Sequence, residues 1–296
     1  MKYFAVFDIG GTAIKYGIVN EKGEILESFT MPTEAQKGPD EWLLNIVDRV
    51  NEFKAKYTLS GIAISSTAMI DADNGRVVYG RPETMPGYTG FDVKGFLVSR
   101  CCLPVEVEND VNCVALAESI SGAGSGYDSV LSLAIGTGVG GGFTEKGKLL
   151  RGNTFSACEA GYIKVTGGDF EHMGSTSALV KRVESYKGDE KGTWNGYLIE
   201  KAAKEGDKDC IRALDEMVDA IADGLVTFSY ILNPACIVLG GGIMKMEGLV
   251  DKISERYHSM INPLVGDNTK ITKAKYENEA GMLGAFYHYK EKHPEL

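Results

Sequence analysis

The amino-acid sequence predicts an α/β protein made of two related halves. Short apolar runs typical of strands end in glycine turns at three places, and amphipathic helices lie between these runs. The order strand, glycine turn, strand, turn, strand occurs at residues 3–26 and again at residues 130–150. Recurrence of one supersecondary unit indicates an internal duplication, with one unit in each domain. A chain of 296 residues is long enough for two domains.

The predicted strands are apolar runs bounded by glycine or by turn residues such as Asn20–Gly23. In chain order they cover residues 3–7, 14–19, 24–26, 130–135, 139–143, 148–150 and 235–239. Helices are predicted at residues 43–53 and 211–232, where apolar side chains recur at helical spacing. A further helix is expected to begin at Ala115, and a helix rich in small residues is expected at 279–286, fraying into a charged tail.

The two halves are expected to be two lobes. Residues 1–112, completed by a C-terminal helix at 279–296, are predicted to form the N-terminal lobe, and residues 113–278 the C-terminal lobe. The first lobe then contains the first glycine turn, and the second lobe contains the other two. Since no linker or low-complexity stretch separates the halves, we expect them to share a cleft.

Composition and charge exclude several classes of protein. The net charge is −10, which disfavours binding to nucleic acid or to an anionic membrane surface. Apolar runs stop well short of the ~20 residues that a membrane helix needs, and the N-terminus leads directly into a strand without a signal-peptide pattern. A cytoplasmic protein is therefore expected. The six cysteines include no C-x-x-C pair, so we expect reduced structural thiols rather than disulfides or a zinc cluster.

The glycine turns predict a site for phosphate groups. Backbone N–H groups of a turn without side chains can approach phosphate oxygens closely. The turns comprise Gly10, Gly11 and Thr12, then Gly136, Thr137 and Gly138, and finally Gly240, Gly241 and Gly242. Any one of them alone is also typical of an ordinary strand end. Three turns that each follow an apolar strand favour a nucleotide site.

Two common nucleotide-binding classes are disfavoured. Residues 136–141 match the dinucleotide fingerprint G-x-G-x-x-G, but a strand follows them where that fingerprint requires a helix. This disfavours a Rossmann dehydrogenase. The pattern G-x-x-x-x-G-K-[ST] does not occur in the sequence, which disfavours a P-loop kinase.

Two carboxylates at strand ends are the candidates for chemistry. Asp8 stands before the first turn, where a carboxylate can hold Mg²⁺ of a nucleotide directly or through water, and Lys15 can pair with phosphate. The alternatives are a turn-capping Asp8 and a solvated Lys15. Asn109 and Asp110 follow an alternating strand, and phosphoryl transfer to an alcohol needs a carboxylate that accepts the hydroxyl proton beside an amide that fixes the acceptor. The alternative for Asp110 is a helix N-cap.

Four motifs together resemble those of the ROK family of sugar kinases and repressors, in an order and spacing that span nearly the whole chain. The motifs are D-I-G-G-T at 8–12, E-N-D-V-N at 108–112, I-G-T-G-V-G-G at 135–141 and I-V-L-G-G-G at 237–242. The joint match is specific, although each motif alone is not. The resemblance implies a two-lobed, actin-like or ribonuclease H-like ATPase fold with a duplicated βββαβα core. It further implies that ATP and Mg²⁺ bind in the cleft and that a sugar hydroxyl is phosphorylated.

The resemblance assigns roles to residues of the first half. Asp110 corresponds to the general base and Asn109 to a sugar ligand. Ser66 is also expected to bind the substrate. The segment Pro86–Asp92 resembles a P-G-W stretch that lines the sugar side in the family. The glycine turns are assigned to ATP.

The second half departs from the family pattern in one respect. Glu159 stands in E-A-G-Y where the family has E-x-G-H, so Tyr162 replaces the family's histidine, and Glu171 corresponds to a further sugar-binding glutamate. The family's zinc site uses that histidine and three cysteines, but residues 164–171 contain no cysteine. Because zinc needs about four such ligands, no zinc is expected. His172, the nearby imidazole, is expected to be a surface or hydrogen-bonding residue rather than a metal ligand.

The leading hypothesis is an ATP-dependent kinase that phosphorylates a sugar hydroxyl, with the 6-OH favoured, of a hexose, an amino sugar or a β-glucoside. The open zinc-free site favours a larger β-glucoside as one option, and the role of Tyr162 stays open between hydrogen bonding and stacking. The rivals are a catalytically silent sugar-binding relative, a sugar-sensing transcriptional regulator and a carboxylate kinase of the same superfold. The regulator is disfavoured because the first strand begins at Tyr3, without a preceding helix-turn-helix module, and the net charge is −10. A homodimer is expected from the family.

Overall fold

A computed structural model describes residues 1–295; Leu296, the last residue of the predicted C-terminal helix, lies outside the described residues. The chain forms two compact units. Unit 1 comprises Met1–Ala117, Arg151–Ala157 and the chain from Asn278 onward. Unit 2 comprises Glu118–Leu150 and Cys158–Glu277.

The strands and helices alternate along the chain as expected for an α/β protein. The strands are β1 (Tyr3–Ile9), β2 (Ala13–Asn20), β3 (Ile25–Pro32), β4 (Leu59–Ser66), β5 (Met69–Asp71), β6 (Arg76–Tyr79), β7 (Val105–Asn109), β8 (Ser129–Ile135), β9 (Val139–Glu145), β10 (Lys148–Leu149), β11 (Lys164–Val165), β12 (Gly168–Asp169), β13 (Cys236–Gly240) and β14 (Lys270–Lys273). The helices are α1 (Pro39–Lys54), α2 (Val93–Cys101), α3 (Asp110–Ile120), α4 (Phe170–Gly174), α5 (Thr176–Lys187), α6 (Gly196–Lys204), α7 (Lys208–Leu232), α8 (Leu249–Met260), α9 (Pro263–Gly266) and α10 (Ala280–Lys292). Short 3-10 helices cover Ala35–Lys37, Ala160–Tyr162 and Gly242–Lys245.

Each unit contains one five-stranded sheet, and the two sheets have matching topology. The order is β3-β2-β1-β4-β7 in unit 1 and β10-β9-β8-β13-β14 in unit 2. In both sheets the first three strands are antiparallel neighbours and the last two join in parallel. The internal duplication that the repeated strand pattern predicted is therefore confirmed. Parallel strands need crossover connections, which helices supply in each unit.

The sheet of unit 1 is buried on both faces because side chains alternate along each strand. Phe7 and Ile9 belong to a core with Trp42 and other residues of α1. Phe4 points to the opposite face, where it meets Phe286 and the rest of the α10 side. Small residues of α10 allow that helix to approach closely. The face toward α10 also carries the carboxylates of Asp8 and Glu108.

The sheet of unit 2 packs mainly against α7. Leu131, Leu133 and Ile135 of β8 share a core with Ile221 and Leu225 of that helix. The helix begins after Asp207, whose side chain accepts hydrogen bonds from the first backbone N–H groups and so caps it. Within residues 1–295, no helix combines the length and apolar character needed to cross a lipid bilayer.

The predicted start of one helix was wrong, and a second helix is longer than its apolar pattern indicated. The helix expected from Ala115 begins at Asp110, because the Asn109 side chain accepts hydrogen bonds from the backbone N–H groups of Val111 and Asn112 and thereby starts the helix earlier. The C-terminal helix, predicted within residues 279–296, covers Ala280–Lys292 and so continues past Phe286, where fraying was expected. Burial of the Tyr289 side chain against the sheet stabilises these last turns.

Candidate active site

Asp8 lies near the C-terminal end of β1, on the face of the sheet that α10 covers. Its Oδ1 accepts a 2.6 Å hydrogen bond from Oγ of Ser65 on the neighbouring β4. Nζ of Lys15, its register partner on β2, lies 3.9 Å from Oδ2. Lys15 also donates to Oδ1 of Asn278 at 3.4 Å. The structure therefore places Lys15 beside Asp8, and their roles toward phosphate and Mg²⁺ stay predictions.

The Asp8 carboxyl is buried beside a hydroxyl and an ammonium group. Burial raises the pKa of this carboxyl, while the Ser65 hydroxyl and Lys15 oppose that rise. Mg²⁺ is commonly held by one or two carboxylates together with substrate phosphates and waters. Among the residues that the structure describes, no group of three or more His, Cys, Asp and Glu side chains is arranged to hold a metal. A single carboxylate fits a cation that arrives with phosphate groups.

The first glycine turn has its backbone exposed. The N–H of Gly10 donates to the carbonyl of Ala13 at 3.0 Å, and the Thr33 hydroxyl donates to the carbonyl of Gly10 at 2.6 Å. Gly11 and Thr12, between these anchors, are exposed. Hydrogen bonds to Ala13 and Thr33 therefore fix the turn, and the exposed Gly11 and Thr12 leave its outer side open to a ligand.

Asn109 and Asp110 form the junction between β7 and α3. The Asn109 amide donates to the carbonyl of Ala68 at 2.8 Å and to Oδ1 of Asp110 at 3.0 Å. Its Oδ1 accepts from the backbone N–H groups of Val111 and Asn112 at 2.9 and 3.0 Å. In this conformation Asn109 both caps the helix and orients the Asp110 carboxylate, which is partly exposed.

Ser66 is completely buried at the end of β4. Its Oγ lies 2.8 Å from the phenolic oxygen of Tyr88, whose ring makes an edge contact with Trp42 at 5.2 Å between centroids. Burial raises the pKa of Tyr88. These contacts anchor the Pro86–Asp92 segment to the sheet. The binding of sugar by Ser66 stays a prediction.

The second and third glycine turns come together at one end of the unit 2 sheet. The N–H of Gly136 donates to the carbonyl of Gly138 at 2.9 Å, and the carbonyl of Gly136 accepts from the backbone N–H of Thr176, the first residue of α5. Gly241 has φ of 104°, and a Cβ there would lie 2.0 Å from the carbonyl oxygen of Ile135. Only glycine permits this approach between the third turn and the end of β8.

A cavity of about 760 Å³ opens beside these two turns. Gly136, Thr137 and Gly242 line it, and the other walls come from α5, residues 191–200 and residues 243–246. Its volume is in the range typical of sites for small molecules, about 300–1,000 Å³. Two predicted phosphate turns therefore border one concave site.

Sequence reasoning missed the aromatic wall of this cavity. Trp194 lines it, held by a 2.7 Å hydrogen bond from its Nε1 to Asp189 and by Nζ of Lys187, which lies 5.3 Å from the ring centroid. Tyr197 of α6 also contributes to the wall. One feature of the sequence could have indicated this wall: Trp194, one of two tryptophans, stands within the polar stretch 187–195.

Glu171, and Gly161 of the E-A-G-Y motif, lie close to the second glycine turn. A Cβ on Gly138 would lie 2.3 Å from Oε2 of Glu171, and that oxygen accepts a 3.3 Å hydrogen bond from the N–H of Val139. Gly161, two residues after Glu159, is also packed on Glu171, since a Cβ there would lie 3.3 Å from Oε2. Unit 2 therefore brings the E-A-G-Y motif and Glu171 to the same turn.

Tyr162 and His172 have exposed side chains. The Tyr162 side chain is 57% exposed, and its backbone N–H donates to the carbonyl of Glu159 at 3.2 Å. His172 has its imidazole beside Asp169, with Nδ1 3.4 Å from Oδ2. Tyr162 is therefore available to a ligand.

Comparison with known proteins relates this arrangement to one family. A model of the ROK family matches residues 4–292. An uncharacterised protein of Clostridium perfringens is 42% identical over 98% of this chain and 99% of its own length. A β-glucoside kinase of Listeria monocytogenes serovar 1/2a is 33% identical over 96% of each chain.

A solved structure of a relative carries ligands. A ROK family glucokinase from Streptomyces griseus, in complex with glucose and AMPPNP, has a TM-score of 0.81 at 26% identity, covering 96% of this chain and 97% of that one. This likeness, with the matching sheets, confirms the expected actin-like α/β fold class. Since the family model covers nearly all of the sequence, the protein is a member of the ROK family.

Proposed function

We propose that this protein is an ATP-dependent sugar kinase that phosphorylates a sugar hydroxyl, with Asp110 as general base. The observation that carries the proposal is the strand–helix junction at Asn109, where an amide with four hydrogen bonds orients a partly exposed carboxylate. An oriented and partly exposed carboxylate can accept the proton of an alcohol that binds within hydrogen-bond distance of it. The curated relative with β-glucoside kinase activity supports the same reaction class.

The donor is ATP. Its phosphates are held by backbone N–H groups of the glycine turns, and its nucleoside part occupies the cavity lined by Trp194. AMPPNP in the glucokinase of Streptomyces griseus supports a nucleotide of this kind. Asp8 holds Mg²⁺, which neutralises charge on the phosphates when bound.

Asp110 takes the proton of the attacking hydroxyl, most simply the 6-OH, which is the least hindered alcohol of a hexose. The new bond joins the sugar oxygen to the γ-phosphorus, and the bond from that phosphorus to the bridging oxygen of ADP breaks. The proton leaves Asp110 for solvent after transfer. Glu159 and Glu171 accept hydrogen bonds from other sugar hydroxyls and hold the acceptor in line.

The acceptor class is a hexose, an amino sugar or a β-glucoside. The exposed Tyr162 side chain offers a ring for the apolar face of a sugar and a hydroxyl for a hydrogen bond. Together with the similarity to a β-glucoside kinase, this favours a test with disaccharides as well as monosaccharides. The expected homodimer and the expected cytoplasmic location stay predictions.

The test is ADP release with Mg-ATP and a panel of glucose, mannose, N-acetylmannosamine, N-acetylglucosamine and cellobiose. Sugar-dependent turnover is expected for the wild type, and Asp110→Asn is expected to lower kcat by about 10²–10⁴-fold. The exposed Asp267→Asn variant is the matched control and should keep wild-type activity. Near-normal turnover in Asp110→Asn would remove the role given to that carboxylate.

A catalytically silent sugar-binding protein is the second candidate from another class. No stimulation of ADP release by any sugar, with sugar and ATP both bound in calorimetry, would favour it. A transcriptional regulator is less consistent with the net charge of −10, because operator binding requires clustered cations.

A further inference from the structure

A cluster of charged side chains lies behind Asp110, on the α10 face of β7. Glu108 is completely buried there, and its Oε2 accepts a 2.7 Å hydrogen bond from Nε of Arg151. Nη2 of Arg151 lies 3.1 Å from Nδ1 of His288 and donates to Glu291 at 3.3 Å. His288 and Glu291 both belong to α10. Glu108, Arg151 and His288 therefore meet in the interior of unit 1, with the exposed Glu291 at the edge of the cluster, and the reaction described above uses none of the four.

Glu108 connects this cluster to the junction between β7 and α3, where Asp110 lies. Its Oε1 accepts from the backbone N–H of Asn109 at 2.8 Å and from the side-chain amide of Asn112 at 3.1 Å. These two donors stand on either side of Asp110 in the sequence. Glu108 therefore holds the backbone N–H directly before Asp110 and the Asn112 side chain directly after the first turn residue Val111.

The Glu108 carboxylate is paired with the Arg151 cation in this interior. Removing one partner of a buried ion pair leaves an uncompensated charge, which is strongly destabilising, and the remaining group then reorients. Arg151 supplies the charge and a fixed direction, since its Nε–H and Nη2–H bonds are coplanar. Its side chain is only 18% exposed, so solvent offers little replacement.

The position of Arg151 in the chain gives the pair a further consequence. Arg151 is the first residue of the segment Arg151–Ala157 of unit 1, and its carbonyl accepts from the N–H of Ala157 at 3.1 Å, which closes the segment. Glu159, a proposed sugar ligand, follows two residues later. The Arg151 guanidinium therefore binds Glu108, which lies in the same motif as Asp110, while the segment that begins at Arg151 leads to the E-A-G-Y motif.

We propose that Arg151 is a positioning residue for phosphoryl transfer, acting through Glu108 to set the direction of the Asp110 carboxylate. This inference rests on the proposed kinase function. Arg151 itself is not assigned any contact with the sugar or the nucleotide. Its loss should therefore lower kcat much more than it changes the KM for ATP.

The test compares Arg151→Met, Arg151→Lys, Glu108→Gln and the double variant Arg151→Met/Glu108→Gln. Arg151→Met should lower kcat by about 30-fold, within the range that small misplacements of reacting groups cost, and should leave the KM for ATP within about twofold. The double variant removes both charges and keeps an oxygen for the Asn109 N–H, so it should recover most of the lost kcat. Arg151→Lys should fall between wild type and Arg151→Met, because lysine keeps the charge without the planar geometry.

A matched control is Arg256→Met, which removes an exposed guanidinium paired with Asp219 at 2.7 Å in unit 2. It should keep wild-type kcat. A lower melting temperature with unchanged kcat in Arg151→Met would show a merely structural role and overturn the proposal. Failure of the double variant to recover kcat would overturn the route through Glu108. If Arg151→Met does not fold, Arg151→Lys alone decides, and wild-type kcat in it would overturn the need for a guanidinium.

Failure of the proposed function is a separate outcome. A wild-type protein that phosphorylates no sugar in the panel would remove the kinase assignment itself. A wild-type kinase with an equally active Arg151→Met variant would remove only the role of Arg151.

Discussion

Gly281, the second residue of α10, lies directly against Asp8. A Cβ at position 281 would be 2.4 Å from Cγ of Asp8 and 2.5 and 2.6 Å from its two oxygens. The backbone of Gly281 does not have a positive φ, so alanine is compatible with the helix itself. The substitution Gly281→Ala therefore tests the position of the Asp8 carboxylate with a single added methyl group.

The size of the effect follows from that distance. Ordinary contacts of a Cβ begin near 3.4 Å, so Asp8 or the helix has to move by about 1 Å. A displacement of this size in a group that holds a reacting centre costs on the order of 100-fold in rate, or about 2.7 kcal/mol in activation free energy. For stability, the gain of about 1 kcal/mol in helix propensity opposes an overpacking cost of about 1–3 kcal/mol. We expect a large loss of kcat and a small change in melting temperature.

The assay measures kcat, the Mg²⁺ dependence of the rate and the melting temperature of Gly281→Ala beside the wild type. Gly168→Ala is the matched control, because a Cβ there would make its nearest contact at an ordinary 3.5 Å. It should leave kcat unchanged. The reasoning is refuted if Gly281→Ala keeps kcat within about threefold of wild type with an unchanged melting temperature.

Two further predictions concern stability and nucleotide binding. Asp8→Asn should raise the free energy of unfolding at pH 8 without Mg²⁺, since burial raises the pKa of Asp8 and the ionised form is therefore disfavoured in the folded state. The gain should shrink as the pH falls through the pKa of Asp8, because the wild-type carboxyl then becomes neutral as well. Melting curves over a pH series from 8 downward check this, and the activity of Asp8→Asn should be lost. Trp194→Ala should raise the KM for ATP about tenfold, with kcat changed little, because a stacked aromatic wall of the cavity is removed; initial rates at varied ATP check this.

Each of these predictions has a contrary result. A lower melting temperature of Asp8→Asn at pH 8 would mean that its bonds to Ser65 and Lys15 outweigh the burial of charge. An unchanged KM for ATP in Trp194→Ala, with an unchanged melting temperature, would place the nucleoside elsewhere than in this cavity.

The strands and their duplication were predictable because their signals are local. Apolar runs, the glycines that end them and the turn at Asn20–Gly23 all lie within a few residues of one another. The start of α3 at Asp110, rather than at Ala115, depends on the Asn109 side chain, which accepts hydrogen bonds from the first backbone N–H groups of the helix. The end of α10 depends on burial of Tyr289 against a sheet from the other end of the chain.

The sequence by itself determined the α/β class, the paired strand units, the three glycine turns and the carboxylates Asp8 and Asp110 at the ends of strands. Strand periodicity and turn chemistry carry this information in short windows of the chain. Only the tertiary structure decided that Arg151 pairs with Glu108, that Gly281 packs on Asp8 and that Trp194 lines the cavity beside the turns. These contacts join residues far apart in the sequence, and no local pattern specifies which distant side chain will neutralise a buried charge or how closely a helix will approach it.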